Sequence, residues 1–319
     1  MRRKISASSL STLAASMNDE DFERVSACYR DLIEALGNDG VRPRPPAQTR
    51  ILTDLVRRAL DLASEKFAYA PSELLCNSFW QDRTLYQSPA INVVRVLQRD
   101  LEQSYVMKTL ASDCGDSPQA RIRLLREAEI HTQIVHPSVI RLHTVLRLED
   151  GRPALLLEEA RESLLQFVSR ERLTVVNLIN IILQLLEGLE AVHRAGFVHA
   201  DVCPANILIA VNTDLTVKVA DFSISIPKGT THEALGYDRA FNYDYSAPEQ
   251  QRGSTIGPSA DLYSCGRVIE RLADEVELSR TQKPRLAALI EQWTHDTPEK
   301  RPASCVRGAE MLHQLLLDF

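Results

Sequence analysis

A chain of 319 residues, 44% hydrophobic and 25% charged, has ample material for a buried core and the make-up of an ordinary globular protein. Its formal net charge of -6 gives no electrostatic attraction to nucleic acid or to an anionic membrane, so neither is expected as a partner. Six cysteines are scattered with no C-x-x-C pair, which suggests neither a zinc site nor a disulfide framework and fits a reducing, cytoplasmic compartment.

Residues 1–17 are basic, Ser-rich and free of acids; a disordered tail is expected there, with a targeting or secretion signal as the alternative. Phe22, Val25, Cys28, Leu32, Ile33 and Leu36 follow helical spacing toward Gly37. The segment Val41 to Pro46 holds three prolines and reads as a stiff linker. Beyond it, Ile51, Leu52, Leu55, Val56, Leu60 and Leu62 predict a second amphipathic helix over 49–66. Residues 18–80 are therefore expected to be a helical extension that either packs on its neighbour or receives a regulatory partner.

Strands are predicted over 91–96 and 103–110. Ser117 and Pro118, a cap followed by proline in the first turn, open a helix that runs through Leu124 and Leu125 to Ile134. An apolar strand follows at 154–160. A long helix, apolar on most sides, is predicted from Thr174 to Ala195. Asn177, Asn180, Gln184, Glu187 and Glu190 interrupt its apolar run, so no membrane span is expected. The stretch Val198 to Phe222 then places Asp201 ahead of Asn206, an apolar strand, a turn, and Asp221 before Phe222 and Ser223.

That stretch resembles the catalytic and metal-binding loops of protein kinases, H-R-D-L-x-x-x-N and D-F-G. Tyr105 to Lys108 matches the family's V-A-I-K strand, Tyr245 to Glu249 its A-P-E segment, and Asp261 to Gly266 its D-V-W-S-x-G helix start. Arg301 stands where the family keeps the ion-pair partner of the A-P-E glutamate. The chain from near Leu85 onward resembles a divergent, eukaryotic-type serine/threonine protein kinase. The resemblance implies an α+β, bilobal protein-kinase-like fold, with a β-rich N-lobe over 81–160 and an α-rich C-lobe over 161–319. It implies ATP and Mg²⁺ as cofactors and a protein as substrate. Asp201 would orient the hydroxyl nucleophile, and Lys108, paired with Glu127, would hold the α and β phosphates. Val106, Leu157, Glu158, Ala160 and Leu208 would surround the adenine, and Asn206 and Asp221 would carry the metal.

Departures from the pattern are equally specific. The stretch from Gln87 to Val93 has no glycine where the family has its phosphate loop, so close approach of backbone amides to phosphates is lost. Ala200 replaces the arginine that gathers a phosphorylated activation loop, Ser223 the glycine of D-F-G, and Cys203 the catalytic-loop lysine. Two readings follow: an active kinase, because all five polar residues are present, or a pseudokinase that binds without turnover.

Overall fold

The computed structural model of the protein describes residues 74–317, except Asn77, 211–214 and 238–240, and isolated positions before residue 53. The chain divides into two units, Met1–Pro71 and Ser72–Phe319. The tail expected over 1–17 lies outside the described residues. So, isolated positions aside, do the helices expected over 19–36 and 49–66.

The second unit opens with an antiparallel sheet of β1 (Leu74–Leu75), β2 (Phe79–Gln87), β3 (Ile91–Gln98), β4 (Ser104–Leu110), β5 (Leu142–Arg147) and β6 (Pro153–Leu157). Its strand order is β1-β2-β3-β4-β6-β5. The sheet starts at Leu74, ahead of the boundary expected at residue 81. The sequence reading missed β2 because only Phe79 of its nine residues is buried, so the strand carries no alternation. Its pairing with β3 also slips twice, between Gln81 and Arg83 and between Thr84 and Tyr86.

Helix α1 (Pro118–Gln133) crosses between β4 and β5 and forms as predicted: the Ser117 hydroxyl accepts from Ala120 N at 3.3 Å, with proline in the first turn. Its buried face carries Leu124, Glu127, Ala128 and His131, spaced to meet the sheet.

The larger lobe holds β7 (Ala160–Ser163), α2 (Leu164–Val168), α3 (Val175–Arg194), β8 (Phe197–Val198), β9 (Ile207–Ala210), β10 (Val217–Val219) and β11 (Ile226–Pro227). It continues with α4 (Pro248–Gln251), α5 (Pro258–Ala273), α6 (Gln282–Trp293) and α7 (Cys305–Leu317). Thr174 caps α3, accepting from Asn177 N at 3.1 Å. Despite its polar interruptions, α3 is long and apolar enough by composition to cross a membrane. Ile181, Ile182, Leu185, Leu189 and Val192 are instead fully buried in the lobe's core. Two glycines permit close packing there. A Cβ on Gly188 would sit 2.5 Å from Ser138 O and 2.8 Å from a Val219 methyl, and one on Gly266 2.9 Å from Trp293 Cβ. Thus α3 closes onto β10 and α5 onto α6, which fixes the loops that the strand ends present to the cleft.

Candidate active site

Three charged side chains from three separate elements meet between the lobes. Lys108, on the inward face of β4, places Nζ 2.8 Å from Glu127 Oε1 on α1 and 2.9 Å from Asp221 Oδ1 in the loop after β10. Lys108 and Glu127 are 7% and 2% exposed, so neither charge would be tolerated without the other. Burial pushes Glu127 up to about 7 against the pull of Lys108. Burial also opposes ionisation of Asp221, yet the Lys108 ammonium and hydrogen bonding from Ser223 hold its carboxyl well below the usual range. The same two carboxylates keep Lys108 charged against the cost of its burial. Asp221 takes a left-handed backbone (φ 67°), which turns its carboxylate back toward Lys108.

The loop from His199 to Asn206 is held just as firmly. Asn206 Nδ2 donates to Asp201 O at 2.9 Å and to Asp201 Oδ2 at 2.7 Å. Asp201 N donates to His199 Nδ1 at 3.2 Å, which leaves His199 Nε2 to donate to Ala220 O at 3.1 Å. Burial, then the charge of Asp221, raises Asp201 to about 6 despite the opposing pull of His199 and Asn206. It is therefore ionised at neutral pH but is a stronger base than an exposed aspartate.

Ala200 is also left-handed (φ 66°), a conformation costing a non-glycine residue about 1–2 kcal/mol. Asp261, fully buried at the start of α5, opposes that strain. Its Oδ1 accepts from Ala200 N at 2.8 Å, and its Oδ2 from His199 N at 2.9 Å and His193 Nε2 at 2.8 Å. Burial opposes its ionisation, but the His193 hydrogen bond and neighbouring donors hold the carboxyl below its usual range. Gln250 Nε2 completes the frame by donating to Ala200 O at 2.8 Å. Sequence reasoning saw in Asp261 only a helix start; its role as the acceptor that shapes residues 199–201 spans some 60 positions and has no local signature.

Val106, Leu157, Ala160 and Leu208 come together with Ala220 in one apolar cluster beneath the sheet. Glu158 differs. Its carboxylate turns away to Lys218 Nζ at 3.0 Å and its amide donates to Arg141 O at 2.9 Å, so its side chain has no part in that apolar bed. The glycine-free turn between β2 and β3 is closed on itself. Ser88 N donates to Ile91 O at 2.9 Å, and the Ser88 hydroxyl accepts from Ala90 N at 3.3 Å and Ile91 N at 3.0 Å. With Pro89 contributing no N–H, every amide of the turn is spent on the turn. The Cys203 thiol is buried and pushed up to about 11, by burial and then by Asp201, so it is neutral where the sequence comparison set a lysine.

The donor set fits a hard divalent cation. Asp221 is kept ionised, and Asn206 spends its nitrogen on Asp201, leaving its amide oxygen on the other side of the group. Farther off, Arg301 forms a bidentate pair with Glu249 at 2.7 and 2.9 Å, as the sequence pattern implied.

Comparison with known proteins points one way. The family pattern described as protein kinase domain matches residues 90–315. The chain is 31% identical over 188 residues to serine/threonine-protein kinase pkn3 of Myxococcus xanthus, a match covering 56% of this chain and 34% of that protein. It is 36% identical over 191 residues to cell division control protein 2 homolog 3 of Trypanosoma brucei brucei, covering 57% and 58%. The chain thus spans less than two thirds of either relative's length. The solved kinase domain of Mycobacterium tuberculosis PknI shares the fold with a TM-score of 0.60 at 19% identity, over 78% of this chain and 99% of that one.

Proposed function

The chain belongs to the protein kinase domain family, and on that premise we propose that it transfers the γ-phosphate of ATP to a serine or threonine hydroxyl of a protein, itself included. The observation that carries the proposal is the assembled pair of charge clusters: Lys108 bound to both Glu127 and Asp221, and Asp201 fixed by Asn206. Phosphoryl transfer asks a protein mainly for positioning and charge stabilisation, and these contacts preorganise both. Lys108 places its ammonium at the α and β phosphates, held there by Glu127. Asp201 accepts the hydrogen bond of the incoming hydroxyl and aims its lone pair; with its carboxyl near 6 it takes the proton as the phosphoryl group leaves ATP. Val106, Leu157, Ala160 and Leu208 sandwich the adenine. Asn206 and Asp221 would hold Mg²⁺, which would supply positive charge to offset the negative charge of the phosphates.

One observation favours a second reading, a pseudokinase that binds partners without turnover: the Ser88 turn offers no free amide to the phosphates. Incubation with γ-labelled ATP and Mg²⁺ beside an Asp201→Ala control separates the two. Label on wild-type protein or on a peptide panel, absent from the control, supports transfer. Nucleotide binding with no label in either establishes the pseudokinase.

A further inference from the structure

Within the larger lobe, residues distant in sequence bring three different donors together. Glu190 and His193 lie one turn apart near the end of α3, and Cys305 opens α7. Among the described residues these are the one group whose carboxylate, imidazole and thiol ligand atoms all lie within 4.8 Å of one another. We infer that Glu190, His193 and Cys305 form a binding site for a borderline-soft divalent cation of the Zn²⁺ class.

The imidazole is already set for ligation. Asp261 is ionised and accepts two backbone amides, so the 2.8 Å contact to His193 requires Nε2 to carry the proton. Nδ1 is then bare, and it faces Cys305 Sγ at 3.4 Å. A carboxylate behind a histidine in this way fixes the tautomer and orientation of a metal-bound imidazole. The separation of nitrogen and sulfur suits two ligands of a tetrahedral Zn²⁺, with Zn–N about 2.0–2.1 Å and Zn–S about 2.3 Å. At present a proton sits between them on the thiol, and the cation would take its place: Cys–SH plus M²⁺ gives Cys–S–M⁺ and one proton released to solvent.

Glu190 supplies the third donor from the rim. It now pairs with Arg194 at 3.0 Å, an exposed contact (Arg194 side chain 74% exposed) that is cheaply exchanged. A cavity of about 660 Å³, lined by Glu190 and Cys305 together with His136, Arg194 and His313, opens onto the cluster. It gives the cation an entry path and leaves room for a water in the fourth position. The mixed N, S and O donor set disfavours Mg²⁺ and Ca²⁺, which take oxygen ligands. Because Asp261 also holds the amides of His199 and Ala200, a cation on Nδ1 would act through one imidazole ring on the loop that carries Asp201.

The test uses the full chain with Cys28, Cys76 and Cys114 replaced by serine, so that the remaining thiols are those of the core. Co²⁺ is titrated as a spectroscopic stand-in and Zn²⁺ by equilibrium dialysis, both without nucleotide, so that the outcome is independent of phosphoryl transfer. One equivalent should bind, with a thiolate-to-cobalt charge-transfer band, release of one proton and a higher melting temperature. Cys305→Ala should abolish the band. Glu190→Gln, at a half-buried rim position that does not threaten folding, should weaken binding at least tenfold. Absence of the band at one equivalent, or unchanged binding in Glu190→Gln, overturns the assignment.

Discussion

Asp261→Asn removes one charge and almost no volume, and its effect can be worked from three contacts. The carboxylate serves Ala200 N through one oxygen and His199 N plus His193 Nε2 through the other, with no exposure to water. Asparagine keeps one oxygen and turns an N–H₂ toward the donors on the other side. His193 can adapt by moving its proton to Nδ1, toward Cys305, and accepting instead; the His199 amide cannot. One buried backbone donor is then left without a partner, at about 1–3 kcal/mol, and the remaining bonds lose their charge assistance. A total near 2–4 kcal/mol follows, or roughly 4–16 °C in melting temperature at 2–4 °C per kcal/mol for a domain of this size. The strain at Ala200 then lacks its opposing hold. Adding Ala200→Gly, which relieves a φ of 66°, should recover about 1 kcal/mol and part of the lost kcat. Urea unfolding gives the stabilities and label transfer to a peptide gives kcat. A loss under about 1 kcal/mol with unchanged kcat would refute the idea that Asp261 shapes residues 199–201.

Further outcomes follow from the same geometry. With Asp201 raised to about 6, kcat/KM should fall tenfold per pH unit below that value, and a flat profile from pH 5 to 8 would contradict it. The sign for stability is opposite: the folded state holds this proton more tightly between the ordinary 3.8 and about 6, so ionised Asp201 lowers stability as pH rises through that window, and Asp201→Asn should melt higher than wild type at pH 7 but not at pH 4. Replacing Ser88 and Pro89 by glycine frees the turn's amides for phosphate and should tighten ATP binding about tenfold, measured by calorimetry; an unchanged Kd would show that the turn does not limit the grip. The segment before residue 238 is tied to α1 without any phosphate: Arg123 donates to Gly236 O at 2.5 Å and lies 5.0 Å over the ring of buried Tyr237. The double variant Thr230→Ala, Thr231→Ala should therefore keep its kcat, whereas Arg123→Ala should speed amide exchange over 230–237; the reverse pattern would return control to the threonines.

The residues of the candidate site were legible because each sits in a local pattern: Lys108 in a strand, Asp201 and Asn206 five positions apart, Asp221 beside Phe222. Local patterns also gave α1, through Ser117 and Pro118, and α3, through Thr174 and its apolar run. What escaped is tertiary. Strand β2 lies on the surface, where burial imposes no alternation. The hold of Asp261 on Ala200 and the approach of Cys305 to His193 join positions that only the folded lobe brings together. Cys203, standing where the family pattern keeps a lysine, is a buried neutral thiol and supplies no positive charge there; only its burial depends on neighbours that spacing does not encode.

The central claim, that this site transfers phosphate, is tested most directly by single-turnover label transfer and ATP binding measured on the same samples of wild type and Asp201→Asn. The account predicts nucleotide affinity equal within about twofold and transfer slower by about 10²-fold or more, the scale for loss of a positioned base. Equal transfer in the two proteins, or none in wild type that binds ATP, would contradict it.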